Sequence, residues 1–277
     1  MKKLLLLITI FSVVTTYAQQ KEKIKGNKEV LIKKFTLPYF NTLEIGENFE
    51  IALQKSTDTT SVVIETDDNL FDVIHYKVED EVLKFSTSME IVKKKRLRIT
   101  VFVPEDLKKI NVFKKGKVFN EEILSLKNLE VKAVEKAKID LLLDIKDKIN
   151  IEAKDKANVT CDITTKSAVI HLTGYATLKS KINVSDDIVL NIDDHAVCEL
   201  KGTAKYLKMT LQAKSEFDSE HFKIKKAEIT AKDRAKTTLN VEDEVVLKLT
   251  GKTETFLWGN PKINLKVFND NAALFKK

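Results

Sequence analysis

From Phe35 onward the chain alternates apolar and polar residues, as in Phe49-Glu50-Ile51-Ala52-Leu53, Val82-Leu83-Lys84-Phe85 and Leu97-Arg98-Ile99-Thr100-Val101-Phe102-Val103. A period of two over such stretches predicts half-buried strands, and no window sustains the 3.6-residue period of a helix. Asp68 to Ile74 is the best candidate for a single helical turn, and Pro104-Glu105-Asp106-Leu107 reads as a turn that closes a first block.

Beyond that turn the pattern repeats. Small residues stand at Gly116, Ala137, Ala157, Ala176, Ala196, Ser215 and Ala235, at intervals of 21, 20, 19, 20, 19 and 20 residues. Six positions before each lies an apolar residue: Ile110, Val131, Ile151, Ile170, Leu190, Met209 and Ile229. Further aligned columns lie four before (Val112, Ala133, Ala153, Leu172, Ile192, Leu211, Ala231) and two after (Val118, Ile139, Val159, Leu178, Cys198, Phe217, Thr237). Self-similarity at a short fixed period marks a solenoid. A unit of 19–21 residues holds about three short strands with corners, since strands rise about 3.3 Å per residue and coils stack at about 4.8 Å. The expected fold is therefore all-β, a right-handed parallel β-helix preceded by an N-terminal β region, the hand following from the chirality of parallel crossovers. The small column is expected where a corner re-enters the core and leaves little room for a side chain. An eighth coil begins near Leu247 or Leu249, and Trp258 to Pro261 with the tail to Lys277 is the candidate cap.

The start of the chain differs in kind. Lys2-Lys3, the apolar run Leu4–Val14 and Thr16-Tyr17-Ala18 form a signal peptide with cleavage expected after Ala18. Residues 19–34 are Lys-rich and polar, and are expected to be a solvated leader. The expected organisation is thus signal peptide 1–18, leader 19–34, N-terminal β region 35–109, β-helix repeats 110–262 and a C-terminal cap or tail 263–277. No other segment approaches membrane-spanning length, so the mature chain is expected to lack a transmembrane span and to be periplasmic, cell-surface or secreted. Composition changes this picture little. Hydrophobic residues are 43% and charged ones 32%, with 7 Gly and 3 Pro, which excludes wholesale disorder and Gly-rich low-complexity architecture. Without Lys2 and Lys3 the 48 basic residues become 46 against 41 acidic ones, a net +5 too mild to argue for nucleic acid.

Candidate chemistry is sparse. Cys161 and Cys198 fall two coils apart, roughly 9–10 Å along the axis, beyond disulfide reach. They read as buried small hydrophobes. Asp155, Asp194 and Asp233 share one corner position in every second coil, with Glu135 in phase. At that spacing they cannot share a calcium ion, and the neighbouring Lys136, Lys156, His195 and Arg234 suggest a charge-balanced corner. His75, His171, His195 and His221 show no ligand or catalytic spacing and are expected at the surface. No catalytic residue, cofactor or metal is expected. Residues 84–117 carry a local net charge of +8. Within them Lys93, Lys94, Lys95, Arg96, Arg98, Lys114, Lys115 and Lys117 form a candidate patch for an anionic ligand, the alternative being a lysine-guarded sheet edge.

Four stretches together resemble a known family. Phe35-Thr36-Leu37, Asn41 through Leu53 (NTLEIGENFEIAL), Val62 through Leu70 (VVIETDDNL) and Leu257-Trp258-Gly259-Asn260-Pro261 are similar, in this order, to the putative auto-transporter adhesin, head GIN domain family. The resemblance spans roughly residues 35–262. It implies a secreted or surface-associated β-helical domain of Bacteroidetes type with an adhesin role, and carries over no catalytic residue. Family members usually have Ser-Gly-Ser-Gly at the repeated corner. This chain instead has Val134-Glu135-Lys136-Ala137, Lys154-Asp155-Lys156-Ala157 and Asp193-Asp194-His195-Ala196, and keeps glycine only at Gly116 and Gly174. The function expected is a non-enzymatic solenoid for surface binding or adhesion, to a glycan or an acidic surface or protein partner and not to nucleic acid. The alternatives are a carbohydrate-active β-helix enzyme, against which the 7% aromatic content speaks, and a scaffold that oligomerises through its terminal coils.

Overall fold

The structure, a computed structural model, describes residues 21–56 and 59–277. The expected signal peptide lies outside these residues, as do Gln19 and Gln20. Strand dominates, and the helical element among the described residues is the 3-10 turn Asp68–Leu70, inside the segment where a helical turn is expected.

The N-terminal block contains β1 (Lys23–Lys25), β2 (Val30–Thr36), β3 (Thr42–Ile45), β4 (Glu50–Lys55), β5 (Ser61–Asp67), β6 (Ile74–Glu79), β7 (Val82–Thr87), β8 (Glu90–Lys93) and β9 (Leu97–Val103). β3 and β4 are already a coil of the solenoid, with Leu43, Ile45, Ile51 and Leu53 turned inward and buried. The chain then makes a long excursion and returns at β10 (Lys109–Val112), which lies parallel on β3 with Ile110 opposite Leu43. The excursion closes the end of the stack. β7 runs parallel beneath β3, β9 parallel beneath β4, and antiparallel β6, β5 and β2 are laid outside them. Parallel edges left open would invite pairing with other chains, and the reversal of strand direction covers them.

The segment 19–34 departs from the expected solvated leader. From Lys21 it belongs to the fold: β1 pairs in parallel with β8, and β2 pairs along its whole length with β5. Its side chains are largely exposed, in the order i-e-e-e-e-i-e along β2, so no apolar signal announces the strand. The backbone ladder, invisible to hydropathy, holds it.

Parallel stacking continues through β11 (Lys117–Asn120), β12 (Leu124–Ala133), β13 (Lys138–Ala153), β14 (Asn158–Leu172), β15 (Thr177–Ile192), β16 (Val197–Leu211), β17 (Glu216–Ala231) and β18 (Lys236–Leu249). It extends into β19 (Glu254–Trp258), β20 (Lys262–Phe268) and β21 (Ala273–Lys276). The column predicted from Ile110 to Ile229 stands in register rung upon rung. It begins two rungs earlier, at Leu83 beneath Leu43, and runs on through Leu247 to Leu265. The ambiguous register thus resolves at Leu247. Residues 263–277, expected as a cap or tail, form a further coil on β18 and β19, and Trp258 lies within β19 opposite Asn240. From β13 each coil has one sharp turn. The remaining bends are kinks within one long strand, marked by register shifts between Ile145 and Lys148, Thr165 and Ala168, and Val184 and Asp187.

The interior is apolar along almost every column, with a few exceptions. Thr237 and Thr255, opposite one another in consecutive coils, are fully buried, and neither hydroxyl has a hydrogen-bond partner. An orphaned buried hydroxyl costs about 1–3 kcal/mol, and valine has the same shape without the polar atom. The double substitution Thr237→Val, Thr255→Val is therefore expected to raise stability by about 1–3 kcal/mol in urea unfolding; a loss of stability would mean that the hydroxyls are satisfied.

Candidate functional site

Each sharp turn has the same construction. Two residues before the small residue the backbone enters the left-handed region, at Lys114 (φ 57°), Glu135 (64°), Asp155 (59°), Gly174 (73°), Asp194 (61°), Ala213 (56°) and Asp233 (62°). The two corner glycines therefore occupy different positions. Gly174 holds the left-handed one, whereas Gly116 is the inward small residue, where a Cβ would meet the Ile45 carbonyl oxygen at 2.8 Å. The small residues Ala137, Ala157, Ala176, Ala196, Ser215 and Ala235 are buried at the re-entry, as expected. The residue just before each of them donates its N–H to the left-handed residue's carbonyl one coil back, as from Lys156 to Glu135 and from His195 to Gly174, both at 2.8 Å.

The alternating carboxylates have a structural task that their spacing in the sequence did not disclose. The left-handed residue's N–H stands outside the ladder, and the next coil's aspartate accepts it. Asp155 Oδ2 takes the N–H of Glu135 (3.2 Å), Asp194 that of Gly174 (3.0 Å), Asp233 that of Ala213 (3.0 Å) and Asp270 that of Gly251 (2.9 Å). One aspartate per pair of coils serves the turn beneath it, which accounts for the alternation. Asp is also among the residues that tolerate a left-handed backbone best.

The basic candidates do not form one patch. Arg96 is paired with Glu65 (3.1 Å), Arg98 with Glu121 (3.4 Å) and Lys117 with Glu50 (2.6 Å). Lys93 ends β8 and Lys95 sits in the turn that follows, beside the N-terminal segment; the Lys93 carbonyl accepts the N–H of Gly26 at 2.8 Å. Lys94 lines a cavity of about 260 Å³ with Lys21, Glu47, Phe49, Ile91 and Leu97. Lys114 and Lys115 line an adjoining depression with Lys136 and Lys156, and with the carboxylates of Glu135 and Asp155 between them. The two hollows share Glu47 and Asn48, so Lys94, Lys114 and Lys115 converge on one end of the rod, while Arg96, Arg98 and Lys117 are paired elsewhere.

Two carboxylates clamp the N-terminal segment over this end. Buried Asp67 accepts backbone N–H groups from Lys28 (3.1 Å), Lys95 (3.1 Å) and Arg96 (3.1 Å). A Cβ on Gly26 would fall 1.9 Å from its Oδ2, so a larger residue there would have to displace the Asp67 carboxylate. Burial pushes the Asp67 carboxyl up, but the three N–H groups and the Lys95 charge outweigh it and hold the group below its ordinary range. Burial likewise pushes Glu47 up, and the Lys21 ammonium at 2.6 Å with the Thr87 hydroxyl brings it net below. Carboxyls depressed in the folded state stabilise it above their unfolded pKa of about 4, and that contribution is lost as pH falls through the folded value. The amides of residues 23–36 are thus expected to lose hydrogen-exchange protection on going from pH 6 to pH 3 before those of residues 149–192 do. Simultaneous loss in both regions would contradict this clamp.

Cys161 and Cys198 are free and buried, in line with their reading as small hydrophobes. Burial pushes the Cys161 thiol up to about 12 and raises that of Cys198 as well, so neither is a nucleophile at neutral pH. The four histidines are exposed. His195 stacks on Tyr175 of the preceding coil, with ring centres 4.8 Å apart. No helix among the described residues is long and apolar enough to cross a membrane.

A β-solenoid closed at one end by antiparallel strands, with structural rather than reactive carboxylates at its corners, defines the class of the protein. The sequence matches the family described as putative auto-transporter adhesin, head GIN domain, over residues 39–181 and again over 146–261, and the chain belongs to that family. Solved structures share the fold. A putative adhesin from Parabacteroides merdae superposes with a TM-score of 0.60 at 15% identity, covering 92% of this chain and 99% of its own. A putative adhesin from Parabacteroides distasonis gives 0.63 at 13% identity, with 92% and 100% covered. A putative lipid binding protein from the same organism gives 0.60 at 15%, again with 92% and 100% covered. Among curated proteins there is no match.

Proposed function

We propose that the protein is an exported, non-enzymatic adhesin that grips an anionic glycan or an acidic surface partner with Lys94, Lys114 and Lys115 at the closed end of the rod. The observation that carries this reading is the convergence of those three ammonium groups on the two hollows that share Glu47 and Asn48. None of the three enters an ion pair among the described residues, where seventeen such pairs occupy other charges. Unpaired cations on a rigid frame are free to meet a ligand without first breaking a bond. The adhesin family and its secreted or surface character support the same reading.

The test is a screen of the purified protein against an array of acidic and neutral glycans, repeated with Lys94→Gln, Lys114→Gln, Lys115→Gln. Binding to acidic glycans that weakens at least tenfold in the variant, and weakens with added salt, is the expected result. Turnover of a glycan, or binding unaffected by the substitutions, would reject it.

A further inference from the structure

A second feature runs along the flank of the rod. The residue just before each buried small residue points outward from the sharp turn, and in successive coils it is Lys136, Lys156, Tyr175, His195, Lys214, Arg234 and Lys252, all exposed. Each is fixed in place by its own N–H, which bonds to the preceding coil's left-handed carbonyl. The rungs therefore stand at the coil spacing of about 4.8 Å, a straight file of side chains with no slack in the backbone.

The file itself carries cations and no carboxylate, although Glu135, Asp155, Asp194 and Asp233 flank it one residue earlier in the same turns. Lys136, Lys156, Lys214, Arg234 and Lys252 enter no ion pair among the described residues. The aspartates beside them keep their negative charge, but they are short and turned along the axis onto the N–H groups of the coil beneath, so the longer Lys and Arg side chains carry their charge outward past them. At its middle the stacked Tyr175 and His195 rings interrupt the cations with a flat aromatic face, and Tyr175 is 60% exposed. Cations at regular intervals on either side of an aromatic platform suit a linear polymer that carries a negative group on each unit and an apolar ring face.

We infer that this flank is a binding strip for a linear acidic polysaccharide, laid parallel to the rod axis and running away from the closed-end site, whose Lys115 is the first rung of the file and whose hollow Lys136 and Lys156 also line. Carboxylates on successive sugars would meet successive cations, and one sugar ring would lie on Tyr175.

The experiment measures binding of polygalacturonate fragments of graded length to the purified protein, with dextran and poly(dT) as comparators. The variants are Lys214→Gln, Arg234→Gln, Lys252→Gln together, Tyr175→Ala alone, and the closed-end triple variant. All altered side chains are exposed, and unchanged circular dichroism verifies folding. Affinity is expected to climb with fragment length, to fall at least tenfold in the strip triple variant and severalfold in Tyr175→Ala, and to survive in the closed-end variant. Loss confined to the closed-end variant would overturn the strip and leave the closed-end site standing. Binding unchanged in the strip variants, no binding by any fragment, or equal affinity for poly(dT) would each overturn it as well.

Discussion

Leu190→Ala is expected to lower the stability of the protein by about 3–5 kcal/mol, read as a shift of the urea midpoint. Leu190 is fully buried, and its rung lies between Ile170 and Met209 in the innermost column. Removing one methine and two methyl carbons leaves a cavity that the rungs above and below cannot fill, because each is fixed by its own ladder of backbone bonds. A solenoid adds a consequence. Every coil is supported only by its neighbours, so a defect in the middle weakens both interfaces it shares. The unfolding transition should broaden as well as move, with the halves on either side of β15 beginning to unfold separately. An effect below about 1 kcal/mol would mean that the column does not carry the core.

Gly202→Ala is expected to be about as damaging, for a different reason. Gly202 has φ +115°, a backbone conformation that side chains rarely adopt, and an added Cβ would lie 2.3 Å from the Ile182 carbonyl oxygen of the coil beneath. The obstacle is backbone, which has no alternative rotamer. The strained conformation alone costs about 1–3 kcal/mol, and moving the coils apart would break neighbouring ladder bonds in addition. Gly174→Ala is the informative comparison. Its φ of +73° lies where non-glycine residues already stand at equivalent turns, and its nearest contact is 3.0 Å, so a loss of about 1 kcal/mol is expected there. Equal losses at the two positions, as measured by chemical denaturation, would show that φ alone and not the close approach of coils sets the cost at Gly202.

The columns from Ile110 to Ile229 could be read from the sequence because a solenoid imposes the same burial on the same position of every coil, and repetition averages out the exceptions. The membership of Leu43 could not, since its partner Ile110 follows only after an excursion that contains β5 to β9. β2 escaped notice because its side chains are mostly solvated and only its backbone is engaged. The coil of residues 263–277 was obscured by a register shift between Leu265 and Val267, which breaks the spacing that the earlier rungs keep. Of the candidate site, the basic residues were visible as a cluster in the chain, but which of them are spent on Glu65, Glu121 and Glu50 depends on partners brought in from other strands. The aspartates at alternate corners were visible too. Their role as acceptors for the coil beneath appears only once the left-handed turn residue is known to have an N–H left out of the ladder.

The account rests on coils that advance by one strand spacing per repeat, and pairs of spin labels measure that advance directly. With one label at position 115 and the other at 214 or 252, separations of roughly 24 Å and 34 Å are expected, five and seven coils apart at 4.8 Å each. Distances in that proportion, narrowly distributed, are the predicted result. Equal distances for the two pairs, or broad distributions, would contradict a rod wound in register.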